Sequence, residues 1–183
     1  MKFYYRRTPN SIKALNDINR AINQFIRSHD NICIPKELIN VWTIAAGCFF
    51  SDCNAIAVPS NPSKELLDSY FNPGFGCFGI LPLADSEHCV SMLTTKHCDR
   101  FIHEKYLKII NDMCGNYVLI NVDNQYRNYI YFYDHEEDCI IKAFNSLRDL
   151  FYSLRPVEVY SKDDIEDDLR LCENIDLELL FST

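Results

Sequence analysis

Residues Gly115 to Leu154 constrain the fold most, because three strand-like runs and a capped helix follow one another with only short polar breaks. Val118, Ile120 and Val122 alternate with Tyr117, Leu119 and Asn121, so Tyr117–Val122 reads as a strand of period two. Asp123-Asn124-Gln125 is turn-prone. Asn128–Tyr133 reads as a second strand, with Ile130 and Phe132 on one face and Tyr129, Tyr131 and Tyr133 on the other. Asp134–Asp138 is a charged loop, and Cys139–Phe144 is a third short strand. Ser146 and Asp149 then form a capping box. Leu147, Leu150, Phe151 and Leu154 make one helical stripe, and Pro156 discourages continuation.

Helical patterns dominate upstream. Ile12, Leu15, Ile18, Ile22, Phe25 and Ile26 form an apolar stripe after Ser11. Pro35 suits the first turn of a second helix, whose inner side would be Leu38, Val41, Trp42 and Ala45, with Gly47 at its end. Ala55–Val58 reads as a short strand and Ser63–Phe71 as a helical turn or two. Asn72–Gly76 reads as a loop and lacks the lysine and spacing of a phosphate-binding one. Cys77–Pro82 and Cys89–Leu93 read as strands. Ile102, Tyr106, Ile109, Ile110 and Met113 predict a helix capped by Asp99 and ended by Gly115.

Charge divides the chain. Residues 157–183 hold nine acidic and two basic side chains, net −7; residues 1–27 hold six basic and one acidic, net +5. The expected organisation is a domain over 1–156 and an acidic, partly helical extension over 157–183. Ser161–Asp164 would open a helix through Ile165, Leu169 and Cys172, while Leu177, Leu179, Leu180 and Phe181 would dock on the domain or a partner. An overall charge of −8 disfavours direct nucleic-acid binding and favours a basic protein partner. No run is long enough to span a membrane. The opening MKFYYRRTPN lacks the apolar run of a secretory signal, so a cytoplasmic location is expected.

Nine cysteines then read as reduced thiols. His88-Cys89, His97-Cys98 and His103 lie close in sequence, but no Cys-x-x-Cys pair exists, so neither metal nor cofactor is expected. No nucleophile motif is present either. The candidate site is therefore a partner-binding surface: Tyr129, Tyr131, Tyr133, Asp134, His135, Glu136, Glu137 and Asp138. The loop is a solvated turn or a binding loop. The tyrosine face is a partner groove or lies beneath a helix.

Two stretches resemble the SMI1/KNR4 family, also called the SUKH superfamily. One is the run Tyr131-Phe132-Tyr133-Asp134-His135-Glu136, followed by a helix opening at Phe144-Asn145-Ser146. The other is Ile34-Pro35-Lys36-Glu37-Leu38, running to Trp42 and Gly47. Gly47 stands alone where the family often has paired glycines, and Asn128 stands where it often has glycine. The resemblance implies an α+β fold with a curved, mainly antiparallel sheet packed with helices. It also implies protein binding, either as an immunity protein that occludes a toxin's active site or as an intracellular scaffold like the fungal members. The runner-up from another class is a small enzyme with His135 as base.

Overall fold

In the computed structural model, the described residues are 3–5, 12–29, 32–45, 48–50, 55–57, 59–69, 75–77, 79–80, 100–111, 115–123, 128–156, 170–171, 178 and 181. The fold is α+β. Helix α1, Ile12–Ser28, buries Ile22 and Phe25 but leaves Ile26 38% exposed, so Ile26 falls outside the inward stripe; the side chains of Ile12, Leu15 and Ile18 lie outside the described residues. Its end is marked by His29, whose ring packs on Phe25 and whose Nδ1 meets the Phe25 carbonyl at 3.0 Å. Helix α2, Lys36–Ala45, starts after Pro35 as the sequence predicts and buries Leu38 and Val41 fully. The side chains of Trp42 and Ala45, and Gly47, lie outside the described residues. Between the helices, the Cys33 N–H donates to the Val122 carbonyl at 2.8 Å, tying the helical layer to the sheet.

That sheet has five antiparallel strands in the order β5-β6-β7-β8-β9. They are β5 Gly79–Ile80, β6 Tyr106–Asn111, β7 Tyr117–Asn121, β8 Ile130–Asp134 and β9 Cys139–Phe144. Three of them fall where alternation places them. Strand β6 overturns the predicted helix over 99–113. The helix there, α4, is only Arg100–His103, and Lys105 at φ 64° turns the chain out of it. The misleading signal was Ile109-Ile110. A bulge between Lys108 and Ile110 shifts the register, so both isoleucines are buried from one strand. Two adjacent buried β-branched residues imitate helical spacing, while their stiff side chains favour the strand.

Short strands complete the frame. β3 Ala55–Ala57 pairs with β4 Phe75–Cys77 and with β10 Leu154–Pro156. β1 Phe3–Tyr5 pairs with β2 Cys48–Phe50 and with β11 Arg170–Leu171. Thus Phe75-Gly76, expected in a loop, is strand. Arg170-Leu171 is strand where a helix was expected, because β1 offers it a hydrogen-bonding edge. The expected strand over Cys89–Leu93 lies outside the described residues. Helix α3 is Lys64–Ser69, capped by the Ser63 hydroxyl accepting from Leu66 N–H.

Helix α5, Leu147–Ser153, follows the predicted cap. Ser146 Oγ accepts the Asp149 N–H at 3.0 Å. Leu147, Leu150 and Phe151 are buried, and Leu154 is buried as the first residue of β10 rather than as a further helical position. The core lies between the inner sheet face, carrying Leu107, Val118, Ile120, Ile130 and Phe132, and the helices. Phe181 belongs to that core.

Candidate functional site

The β8–β9 turn uses its charged residues unequally. Asp134 is only 6% exposed, and its Oδ1 accepts the Glu136 N–H at 2.9 Å and the Glu137 N–H at 3.2 Å. It holds the turn together from inside, as an Asx-type contact does. Asp138 closes the turn at φ 51°, a conformation aspartate tolerates better than most residues. His135 is exposed at the tip but held. Asn116 Oδ1 accepts the His135 N–H at 3.0 Å and lies 2.9 Å from its Nδ1. An Nδ1–H tautomer of the ring satisfies that contact, since an amide oxygen only accepts. Gly115, at φ +92°, lets the chain bend beneath the imidazole. Glu136 and Glu137 are exposed. The five residues therefore do not project as one equal cluster.

The tyrosine face takes shape from the strand register. Tyr117 opposes Tyr133, Leu119 opposes Tyr131, and Tyr131 opposes Lys142. Leu119 is fully buried on this outer face, beneath a layer of half-exposed tyrosines. The rings contact one another. Tyr106 meets Tyr131 edge-on at 5.0 Å, and Tyr117 stacks with Tyr133 at 6.1 Å. Helix α4 covers one end, where Phe101 packs edge-on against Tyr133 at 4.9 Å. The face is thus neither bare nor fully roofed.

Cations are threaded through it. Arg100 lies over the rings of Phe101 and Tyr133, Lys108 over Tyr117 at 4.1 Å, and Lys142 over Tyr129 at 3.3 Å. Arg100 also forms an ion pair with Asp138 at 2.6 Å, and the Tyr133 hydroxyl donates to Asp138 Oδ1 at 2.9 Å. Face and loop are joined by this three-way contact. Burial raises the pKa of Tyr106, Tyr131 and Tyr133, the last further helped by its bond to Asp138. All three stay neutral at physiological pH and present hydroxyls.

The Arg100 bond, and then the Tyr133 hydroxyl, hold the Asp138 carboxyl below its ordinary range. A depressed folded pKa means that the ionised turn is favoured above the unfolded value and that this contribution fades as pH falls through the folded one. Tyr133 ring resonances should therefore hold steady from neutral pH down to about pH 4 and shift only below it. Asp138→Asn should abolish that acid transition. Titration of Asp138 at an ordinary carboxylate value would contradict the linkage.

Sequence reasoning missed Arg100, Phe101, Lys108, Asn116 and Lys142. Arg100 and Lys108 were hidden inside the misread helix. Lys142 could have been found, since alternation from Ile141 puts it on the tyrosine side. Asn116 carried no local signal, because its partner lies nineteen residues away.

Among the described residues, no group of three or more His, Cys, Asp or Glu could hold a metal ion. Cys33 and Cys139 are not in disulfides. No described helix is long and apolar enough to cross a membrane.

Sheet, helices and aromatic face together define an α+β domain with a preorganised aromatic and charged surface. Residues 16–153 match the SMI1 / KNR4 family (SUKH-1), and the chain belongs to that family. No curated protein and no solved structure matches it.

Proposed function

We propose that this chain is a protein-binding module that acts as an immunity protein, neutralising a basic toxin domain by covering its active site. Family membership supports a binding role. The observation that carries the reading further is the locked cluster Arg100–Asp138–Tyr133 beside the exposed carboxylates of Glu136 and Glu137. Rings already fixed by neighbours lose little freedom on docking, so they are suited to an interface. Binding is favoured over catalysis by His135, whose Nδ1 meets an amide oxygen rather than a carboxylate that could strengthen it as a base. Work in the cytoplasm would keep the nine cysteines as thiols, the state in which Cys33 and Cys139 stand. Tyr129, Tyr131 and Tyr133 would supply the desolvated contact. Glu136 and Glu137 would steer the partner, while Asp134, His135 and Asp138 hold the turn in shape.

The test uses a toxin domain encoded beside this chain's gene. Glu136→Gln with Glu137→Gln should slow association by about threefold to tenfold at low salt and flatten its salt dependence. Neutralisation in cells co-expressing both proteins should weaken in parallel. A cognate toxin bound at unchanged rate by this variant would remove the loop from the interface. Capture of a non-toxin signalling protein instead would favour the scaffold reading.

A further inference from the structure

A groove of about 940 Å³ lies between β9 and the segment leading into α3. Ile140 to Ala143 line it from the sheet, Asn61, Ser63 and Glu65 from the other side, and Glu136 and Glu137 from the turn. Among the described residues, strand β9 is the last of its sheet. Among the described residues, Ile140 to Ala143 have β8 on one side and no strand on the other. Alternate residues of such an edge direct both N–H and C=O away from the neighbouring strand, ready for another chain. Lysine often guards an edge of this kind. Here the Lys142 ammonium is engaged by the Tyr129 ring. The remaining charges lining the groove are the buried carboxylate of Asp134 and the exposed carboxylates of Glu65, Glu136 and Glu137.

We propose that this groove receives an extended, basic segment of a partner protein, which adds to β9 as a sixth strand. Main-chain hydrogen bonds would supply the affinity and the three glutamates would select lysine or arginine on alternate positions. About five residues of extended chain match the length of the lined strand. A second copy of this chain is the less suitable occupant, because its β9 carries only one cation, Lys142, and that ammonium is already engaged by the Tyr129 ring. The proposal rests on the reading of the β8–β9 turn as a partner-binding element and gives that turn's acidic side a chemical preference. The tyrosine side is left for a separate contact.

The probe is a capped eight-residue peptide of alternating lysine and valine, added to the full chain at low salt and followed by NMR and amide hydrogen exchange. Exchange should slow at amides within Ile140 to Ala143. N-methylation of the peptide's alternate amides should weaken binding by at least about tenfold when placed on one edge and hardly at all on the other. Glu65→Gln, Glu136→Gln and Glu137→Gln together should weaken it by about tenfold. Lys108→Met, on the tyrosine side of the sheet over the Tyr117 ring, should leave it unchanged, which separates this groove from the tyrosine surface. Equal binding of a glutamate–valine peptide, equal binding of both methylated forms, or protection away from β9 would each overturn the proposal. So would a chain that is already dimeric through β9 in sedimentation and exchange experiments. None of these outcomes depends on a toxin, so the groove can fail while the immunity reading stands.

Discussion

Phe181→Ala is expected to lower the unfolding free energy by about 3 kcal/mol, with a matching fall in the urea midpoint at unchanged slope. Phe181 is 7% exposed, though it lies two residues from the chain's final position. Its ring packs edge-on against Phe151 at 5.7 Å and tilts against Tyr152 at 6.4 Å. Phe151 belongs to the innermost core, so truncation at 181 opens a cavity against α5 rather than trimming a solvated tail. Nearby, Glu178 forms an ion pair with Arg148 at 3.2 Å and accepts a hydrogen bond from the Tyr152 hydroxyl. Those groups are exposed, so Glu178→Gln should leave the midpoint close to that of the parent protein. The contrast between the two variants isolates apolar docking as the cause. A Phe181→Ala protein as stable as its parent would mean that this contact does not persist in solution.

Where one face of an element is buried by its immediate neighbours, the sequence carried its structure. The β7–β8–β9 meander and α5 were readable because alternation, turn chemistry and a serine cap all agree within Gly115–Leu154. Strand β6 was not readable, since its bulge gives two successive residues the same side and so mimics a helical stripe. Strands β1 and β11 are too short to show a period, and each exists because of a partner far away in sequence. The candidate site divides in the same way. Tyr131, Tyr133 and the acidic turn are contiguous and stood out together. Arg100 reaches Asp138 across 38 residues, and that separation left no local trace. Asp134 illustrates a further limit: composition marks a carboxylate as available, but only the folded turn shows it consumed by two backbone amides.

Tyr133→Ala is expected to weaken binding of the cognate toxin by about 2 kcal/mol, or about thirtyfold, mainly by faster dissociation. Tyr133 stands where the three supports of the surface meet. Phe101 packs against one side of the ring, Tyr117 stacks on it, and the Arg100 guanidinium lies 5.2 Å from its centre. Its hydroxyl bonds to Asp138. A ring fixed from so many directions offers a rigid contact whose removal also releases Arg100 and the turn. Two further variants separate these effects. Tyr133→Phe keeps the ring and loses only the bond to Asp138, so it should retain most of the affinity. Arg100→Met keeps much of the side chain's apolar stem and removes the ion pair, so it should loosen the turn and reduce affinity by an intermediate amount. Circular dichroism must show all three variants folded, because Tyr133 lies within β8 and packs against Phe101 and Tyr117. If Tyr133→Phe loses as much as Tyr133→Ala, the hydroxyl bridge rather than the ring carries the contact. If neither changes dissociation from a verified partner, the tyrosine face lies outside the interface, and binding must run through a different surface such as the β9 groove.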